Sequence, residues 1–126
     1  MSVSYVVFGA YGGMGSALSR RLAKKGAKLL LVGRDEARLA SLASELGAQT
    51  FPVDATNLLQ AESCMKQASD LYGQVNGVAN CVGSFLLKPA HLLSEEEWDA
   101  TITTNLKSAF AVVRAATAAM TKHGGS

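Results

Sequence analysis

"FGAYGGMG", residues 8–15, is the stretch on which the fold turns. It follows a short apolar run, "SYVVF" (4–8), and leads into a helical pattern that puts Met14, Leu18 and Leu22 on one stripe. A helix N-terminus carries unpaired amides and the positive end of the helix dipole. Residues without side chains at that point let a pyrophosphate approach the main chain. Gly9, Gly13 and Gly15 suit that task. An ordinary tight turn is the bland alternative; a strand before, a helix after and a polar residue at the right distance favour the dinucleotide reading.

Working outward, the same alternation repeats. "KLLLV" (28–32), "QTFPV" (49–53) and "NGVAN" (76–80) are short apolar runs that stop at a glycine or polar residue, as strands buried on both faces do. Pro52 cannot donate to a ladder, so the third run belongs on the outside of a sheet. Between the runs lie helices. Gly26 supplies a left-handed exit from the first. Asp35 caps the second, whose Leu39, Leu42, Ala43 and Leu46 share a face before Gly47. The third runs from Leu58 to Tyr72 with Ala61, Met65 and Ala68 aligned, and ends at Gly73. Ser94 and Glu97 form a capping box for a long fourth helix with the stripe Trp98, Ile102, Leu106, Phe110 and Val113. Strands alternating with helices predict an α/β, Rossmann-type parallel sheet with helices on both faces and strand order 3-2-1-4.

The composition agrees with one ordered domain. The 126 residues are 48% hydrophobic and 17% charged, enough chain to bury about two-thirds of its unfolded surface. A net charge of +2, with basic residues scattered rather than gathered, argues against nucleic acid as a partner. No apolar run approaches the ~20 residues needed to span a bilayer, so no membrane partner is expected. The start lacks a basic leader, and Cys64 and Cys81 have neither metal-ligand spacing nor a pair of histidines beside them. Reduced thiols and a cytoplasmic setting are expected, with no metal. His91 and His123 are expected at the surface.

The second strand ends "VGRDE". Dinucleotide folds that prefer NAD place a carboxylate there, about 20 residues past the glycines, to hold the ribose hydroxyls. Gly33 stands in that place and Arg34 follows, beside a helix N-terminus where the dipole disfavours a cation. Either an anionic 2′-phosphate rationalises the arginine, which makes NADP(H) favoured over NAD(H), or Arg34 is a solvated residue relieved by Asp35.

Taken together, "FGAYGGMG", "VGRD", "FPVDAT", "ANCVG" and "TTNLKSAF" make the chain resemble the short-chain dehydrogenase/reductase family from Ser4 onward. The spacing Gly9, Gly12, Gly15 also fits that family's longer relatives. The resemblance implies an oxidoreductase that passes hydride between a nicotinamide and a carbonyl or alcohol substrate. Gly9, Gly13 and Gly15 would line the pyrophosphate, with the Met14 amide near the nicotinamide-side phosphate. Arg34 would meet the 2′-phosphate. Asp54 would contact the adenine with the Ala55 backbone assisting, unless it is a turn or N-cap carboxylate. Asn80 and Gly83 would stabilise the central sheet beside the cofactor. Phe8 stands where the family has threonine and Cys81 where it has a second asparagine, so an apolar contact is expected in place of a hydroxyl-to-loop bond.

Asn105 matches the asparagine of the family's catalytic tetrad, which holds a water in the proton relay; a solvated helix asparagine is the alternative. Thr101, Thr103 and Thr104 beside it are weak helix formers, and a kink or bound water is expected. The family's catalytic tyrosine has a lysine four residues later, and Tyr5, Tyr11 and Tyr72 do not. The chain is therefore expected to be the cofactor-binding half, truncated before the serine, tyrosine and lysine and inactive alone. It is expected to form a homo-oligomer or to join a complementary C-terminal half. A non-catalytic NADP-binding module, or one half of a two-chain assembly, is the alternative. "GSFLLKPAHLL" (83–93) is expected to border an apolar substrate pocket.

Overall fold

In the computed structural model, which describes residues 2–122, parallel strands occupy the centre. They are β1 (Ser4–Phe8), β2 (Lys28–Gly33), β3 (Gln49–Pro52) and β4 (Gly77–Asn80), in the expected order β3-β2-β1-β4. β1 pairs with β2 from Ser4 opposite Lys28 to Phe8 opposite Val32, and with β4 from Tyr5 opposite Gly77 to Phe8 opposite Asn80. Successive strand residues face opposite ways. β1 therefore sends Val6 and Phe8 into one apolar cluster and Val7 into the other, and β2 divides Leu30 and Val32 from Leu29 and Leu31 in the same manner. Burial on both faces explains the unbroken apolar runs. Pro52 lies on the outer strand β3, opposite Gly33.

Helices α1 (Gly13–Lys24) and α2 (Glu36–Leu46) cover one face; α3 (Leu58–Tyr72) and α5 (Ser108–Met120) cover the other. The Asp35 carboxylate caps α2 by accepting from the Arg38 amide at 3.1 Å, and Asn57 caps α3 by accepting from the Gln60 amide at 3.0 Å. Gly47 closes α2 in the left-handed region at φ 64°, which a side chain would oppose. The capping box of α4 (Glu95–Ile102) is complete: Ser94 accepts from the Glu97 amide while Glu97 accepts from the Ser94 amide. The expected kink around Asn105 takes the form of a π-helical turn, Thr103–Lys107, between α4 and α5.

Two helices bury small residues beside an exposed apolar stripe. On α1, Met14 is 81% exposed and the buried residues are Gly15 and Ser19. On the last helix, Trp98, Ile102, Leu106, Phe110 and Val113 are all exposed, whereas Ser108, Ala111, Val112 and Ala115 are buried. Small side chains allow α1 and α5 to approach their neighbours closely, and the buried hydroxyls are satisfied within the helices: Ser19 donates to the Gly15 carbonyl at 2.7 Å and Ser108 to the Thr104 carbonyl. Phe8 and Cys81 fall into different apolar clusters, Val82 after Cys81 packs against the cluster that holds Phe8, and the Cys81 amide donates to the Phe8 carbonyl at 2.8 Å.

Candidate cofactor site

A cavity of about 570 Å³ opens at the carboxyl ends of the strands, where doubly wound sheets bind their ligands. Its wall combines the glycine loop (Gly9, Gly12), the end of β2 (Gly33, Arg34), the segment after β3 (Asp54, Ala55) and the segment after β4 (Cys81, Gly83). Residues far apart in sequence meet there because every strand ends on the same edge of a parallel sheet.

The glycine loop is built by close backbone approach. Gly9 adopts φ 73°, and a Cβ on it would lie 2.7 Å from the Cys81 carbonyl; a Cβ on Gly15 would lie 2.1 Å from the Gly9 carbonyl oxygen. Gly9 and Gly15 therefore hold the loop together, while a Cβ on Gly13 would meet nothing within 4 Å. Gly12, the residue before α1, lines the cavity and offers no side chain to cap the helix. Whereas α2, α3 and α4 have Asp35, Asn57 and Ser94 on their first amides, the first turn of α1 has no side-chain partner and no acidic residue. Those amides and the dipole behind them favour an anion.

At the end of β2, Arg34 is exposed at the cavity wall. Asp54 is half-buried nearby, and its Oδ1 accepts from the Thr56 amide at 2.9 Å and the Thr56 hydroxyl at 2.7 Å. These bonds hold the carboxyl below its ordinary range, with the charges of Arg34 and Lys107 adding to the effect. One oxygen of Asp54 thus serves a turn, as the alternative reading had it. Ala55, beside it, is buried.

Asn80 ends β4 and accepts from the Val82 amide at 3.1 Å, which shapes the loop toward Gly83. Asn105, on the π-helical turn, clamps that loop from the other side. Its Oδ1 accepts from the Ser84 amide at 3.0 Å, and its Nδ2 donates to the Thr101 carbonyl at 2.9 Å and the Ser84 hydroxyl at 3.2 Å. A Cβ on Gly83 would stand 3.3 Å from that Oδ1. Gly9, Arg34, Asp54, Ala55 and Gly83 thus share one cavity wall, with Asn80 and Asn105 bracing the wall from behind; Gly13 and Met14 stand at the helix start and Gly15 lies beneath the loop.

Tyr11 was not singled out by sequence reading as a cavity residue, whereas Ser84 belongs to the stretch 83–93 expected to border a pocket. The Tyr11 hydroxyl accepts from the Arg34 and Asp35 amides at 3.2 and 3.0 Å. The bare Gly33 was the available signal, since a strand end without a side chain leaves room for one from elsewhere. Tyr72 is structural: it donates to the Leu29 carbonyl at 2.7 Å, and burial raises its pKa. His91 lies exposed in a short 3-10 turn, Ala90–Leu92; His123 lies outside the described residues.

The short chain dehydrogenase family model matches residues 4–126. This chain belongs to that family. It is 33% identical over 112 residues to an uncharacterised oxidoreductase of Staphylococcus epidermidis, covering 87% of this chain and 49% of that protein. A Staphylococcus aureus oxidoreductase, also uncharacterised, is 32% identical over 114 residues, covering 88% of this chain and 49% of its own length. The chain therefore spans about half the length of these curated relatives. Among solved structures, a short-chain dehydrogenase/reductase from Mycobacterium ulcerans superposes with a TM-score of 0.93 at 26% identity, over 99% of this chain and 50% of that one. An actinorhodin polyketide ketoreductase variant solved with NADPH gives 0.92 at 27% identity, over 98% and 50% of the two chains. An alcohol dehydrogenase from Thermococcus sibiricus complexed with 5-hydroxy-NADP gives 0.89 at 28% identity, over 99% and 56%. Among the described residues of this family member, no helix is long and apolar enough to cross a membrane.

Proposed function

We propose that this chain is the cofactor-binding half of an NADP-dependent oxidoreductase that acts on a carbonyl or alcohol. The observation that carries the proposal is the uncapped start of α1 at a cavity whose other wall holds Arg34 and no carboxylate at position 33. When bound, a nicotinamide cofactor supplies hydride chemistry. The chain's part is to hold it. Amides of Gly13, Met14 and Gly15 take the diphosphate, Gly12 leaves room for its approach, and Arg34 takes the 2′-phosphate. Asp54 and Ala55 border the adenine. Asn105, already bonded to Ser84 and Thr101, keeps the loop after β4 in place and sets the edge of the proton relay.

A charge-assisted contact of about 1.5 to 3 kcal/mol gives about a tenfold to hundredfold preference for NADPH over NADH. Titration of the protein with both cofactors tests this, and equal affinities overturn the preference. The chain by itself is proposed to be inactive, since none of Tyr5, Tyr11 and Tyr72 is followed four residues later by lysine. The exposed stripe from Trp98 to Val113 supports cover by a second copy or by a complementary C-terminal half. A reducing, cytoplasmic setting is part of this proposal, and Cys64 and Cys81 are both free.

A further inference from the structure

The Tyr11 ring fills the place that a side chain at the end of β2 would occupy. A Cβ on Gly33 would lie 2.6 Å from Tyr11 Cε1 and 3.1 Å from its Cζ. Gly33 and Tyr11 are therefore a matched pair: a carboxylate reaching for ribose hydroxyls from position 33 and this ring position exclude one another. The aromatic ring does more than fill space. Its hydroxyl oxygen accepts from two successive amides, those of Arg34 and Asp35, and the Arg38 guanidinium carbon lies 4.3 Å above the ring centroid.

A phenol whose oxygen already accepts two N–H bonds has a proton left to give. Among the described residues no acceptor takes the Tyr11 proton, and both amide donors polarise the O–H toward stronger donation. A partner at that point must be an acceptor, and an oxyanion suits it better than a neutral hydroxyl. Arg34 lines the same cavity as Tyr11, and the Arg38 guanidinium lies over the Tyr11 ring. Of the carboxylates nearby, Asp35 accepts the Arg38 amide and Asp54 accepts Thr56, each through its Oδ1.

We propose that Tyr11 is a specificity-determining residue, whose hydroxyl donates to a phosphate on the ribose 2′ carbon of the bound nucleotide. The inference rests on the cofactor reading above and adds to it a residue outside the pyrophosphate loop's usual task. Arg34 supplies charge in this arrangement. Tyr11 supplies direction, because its ring is wedged against Gly33 and its oxygen is pinned by the two amides.

The test is calorimetric titration of the wild-type protein, Tyr11→Phe and Gly33→Ala with adenosine 2′,5′-bisphosphate and with 5′-AMP, thermal melts establishing that each variant is folded. The wild type is expected to bind the bisphosphate about tenfold or more tightly than AMP. Tyr11→Phe keeps the ring and removes only the hydroxyl, so about tenfold of bisphosphate affinity should disappear while AMP binding stays within about twofold. Gly33→Ala, which displaces the ring, should do the same. A Phe variant that keeps the full bisphosphate preference overturns the role of Tyr11 and leaves the cofactor reading standing. A wild type that binds both nucleotides equally, or neither, overturns the 2′-phosphate reading itself, and the role of Tyr11 with it.

Discussion

Helices α3 and α5 lie on the same face of the sheet and pack against each other, yet they distribute their side chains in opposite ways. On α3 the regular apolar stripe is the buried one: Ala61, Met65 and Ala68 are shut in, and Tyr72 reaches under the sheet to Leu29. On α5 the buried residues are mostly small, Ser108, Ala111, Val112 and Ala115, with Met120 at its end, and Phe110 and Val113 on the stripe are 58% and 62% exposed. A helix whose large residues are inside has completed its burial within this chain. One whose large residues are outside has a second apolar face with nothing against it, and such faces mark contacts with other protein. Sequence periodicity reports that a face is apolar but not which neighbour covers it.

The contrast can be broken by mutation. Met65→Ala should have the largest effect, about 2 to 5 kcal/mol of lost stability in urea melts, because it leaves a cavity between α3 and the sheet. A loss under about 1 kcal/mol would mean that α3 is not the packed partner described. Ala111→Leu should cost about 1 to 3 kcal/mol by pushing α5 off its neighbours, although the change adds a strong helix former. A neutral result there would place the small-residue face in a looser contact.

Acid should act on the start of the α4–α5 segment. The pKa of Glu97 is held down to about 2, chiefly by the hydrogen bond from the Lys88 ammonium and next by the Ser94 amide. The free carboxyl titrates near about 4.3, so the bound form contributes stability at and above that pH and loses it as pH falls through about 2. Glu97→Gln should flatten the acid limb of the stability curve across that window; an unchanged limb would detach Glu97 from the segment's stability. The smallest effect is expected from Phe110→Ser, within about 0.5 kcal/mol in melts at concentrations where the chain is monomeric. The same change should shift sedimentation toward smaller species if a second copy covers the stripe.

Much of this molecule was legible before any coordinates. Strand runs ending at polar residues, the caps Asp35 and Ser94, the exit at Gly47 and the outer placement of Pro52 are local features, settled by residue chemistry within a few positions. Gly9 and Arg34 could be named from the glycine loop and the end of the second strand, and Asp54, Ala55 and Gly83 from the family resemblance; a parallel sheet delivers all of them to one edge. The stripes carrying Met14 and the last helix's large residues were legible as apolar, but not which of their positions a neighbouring element covers. Tyr11 escaped notice because its partners, Gly33, Arg34 and Asp35, lie on another strand and helix.

What sequence by itself determined is the order of elements, their ends and the layered plan, since period, capping and turn chemistry act between near neighbours along the chain. The tertiary structure alone decided which helix faces are covered and which side chain fills the bare strand end at Gly33. Those outcomes depend on how closely two backbones approach, and that distance is set by the packing of residues remote in sequence.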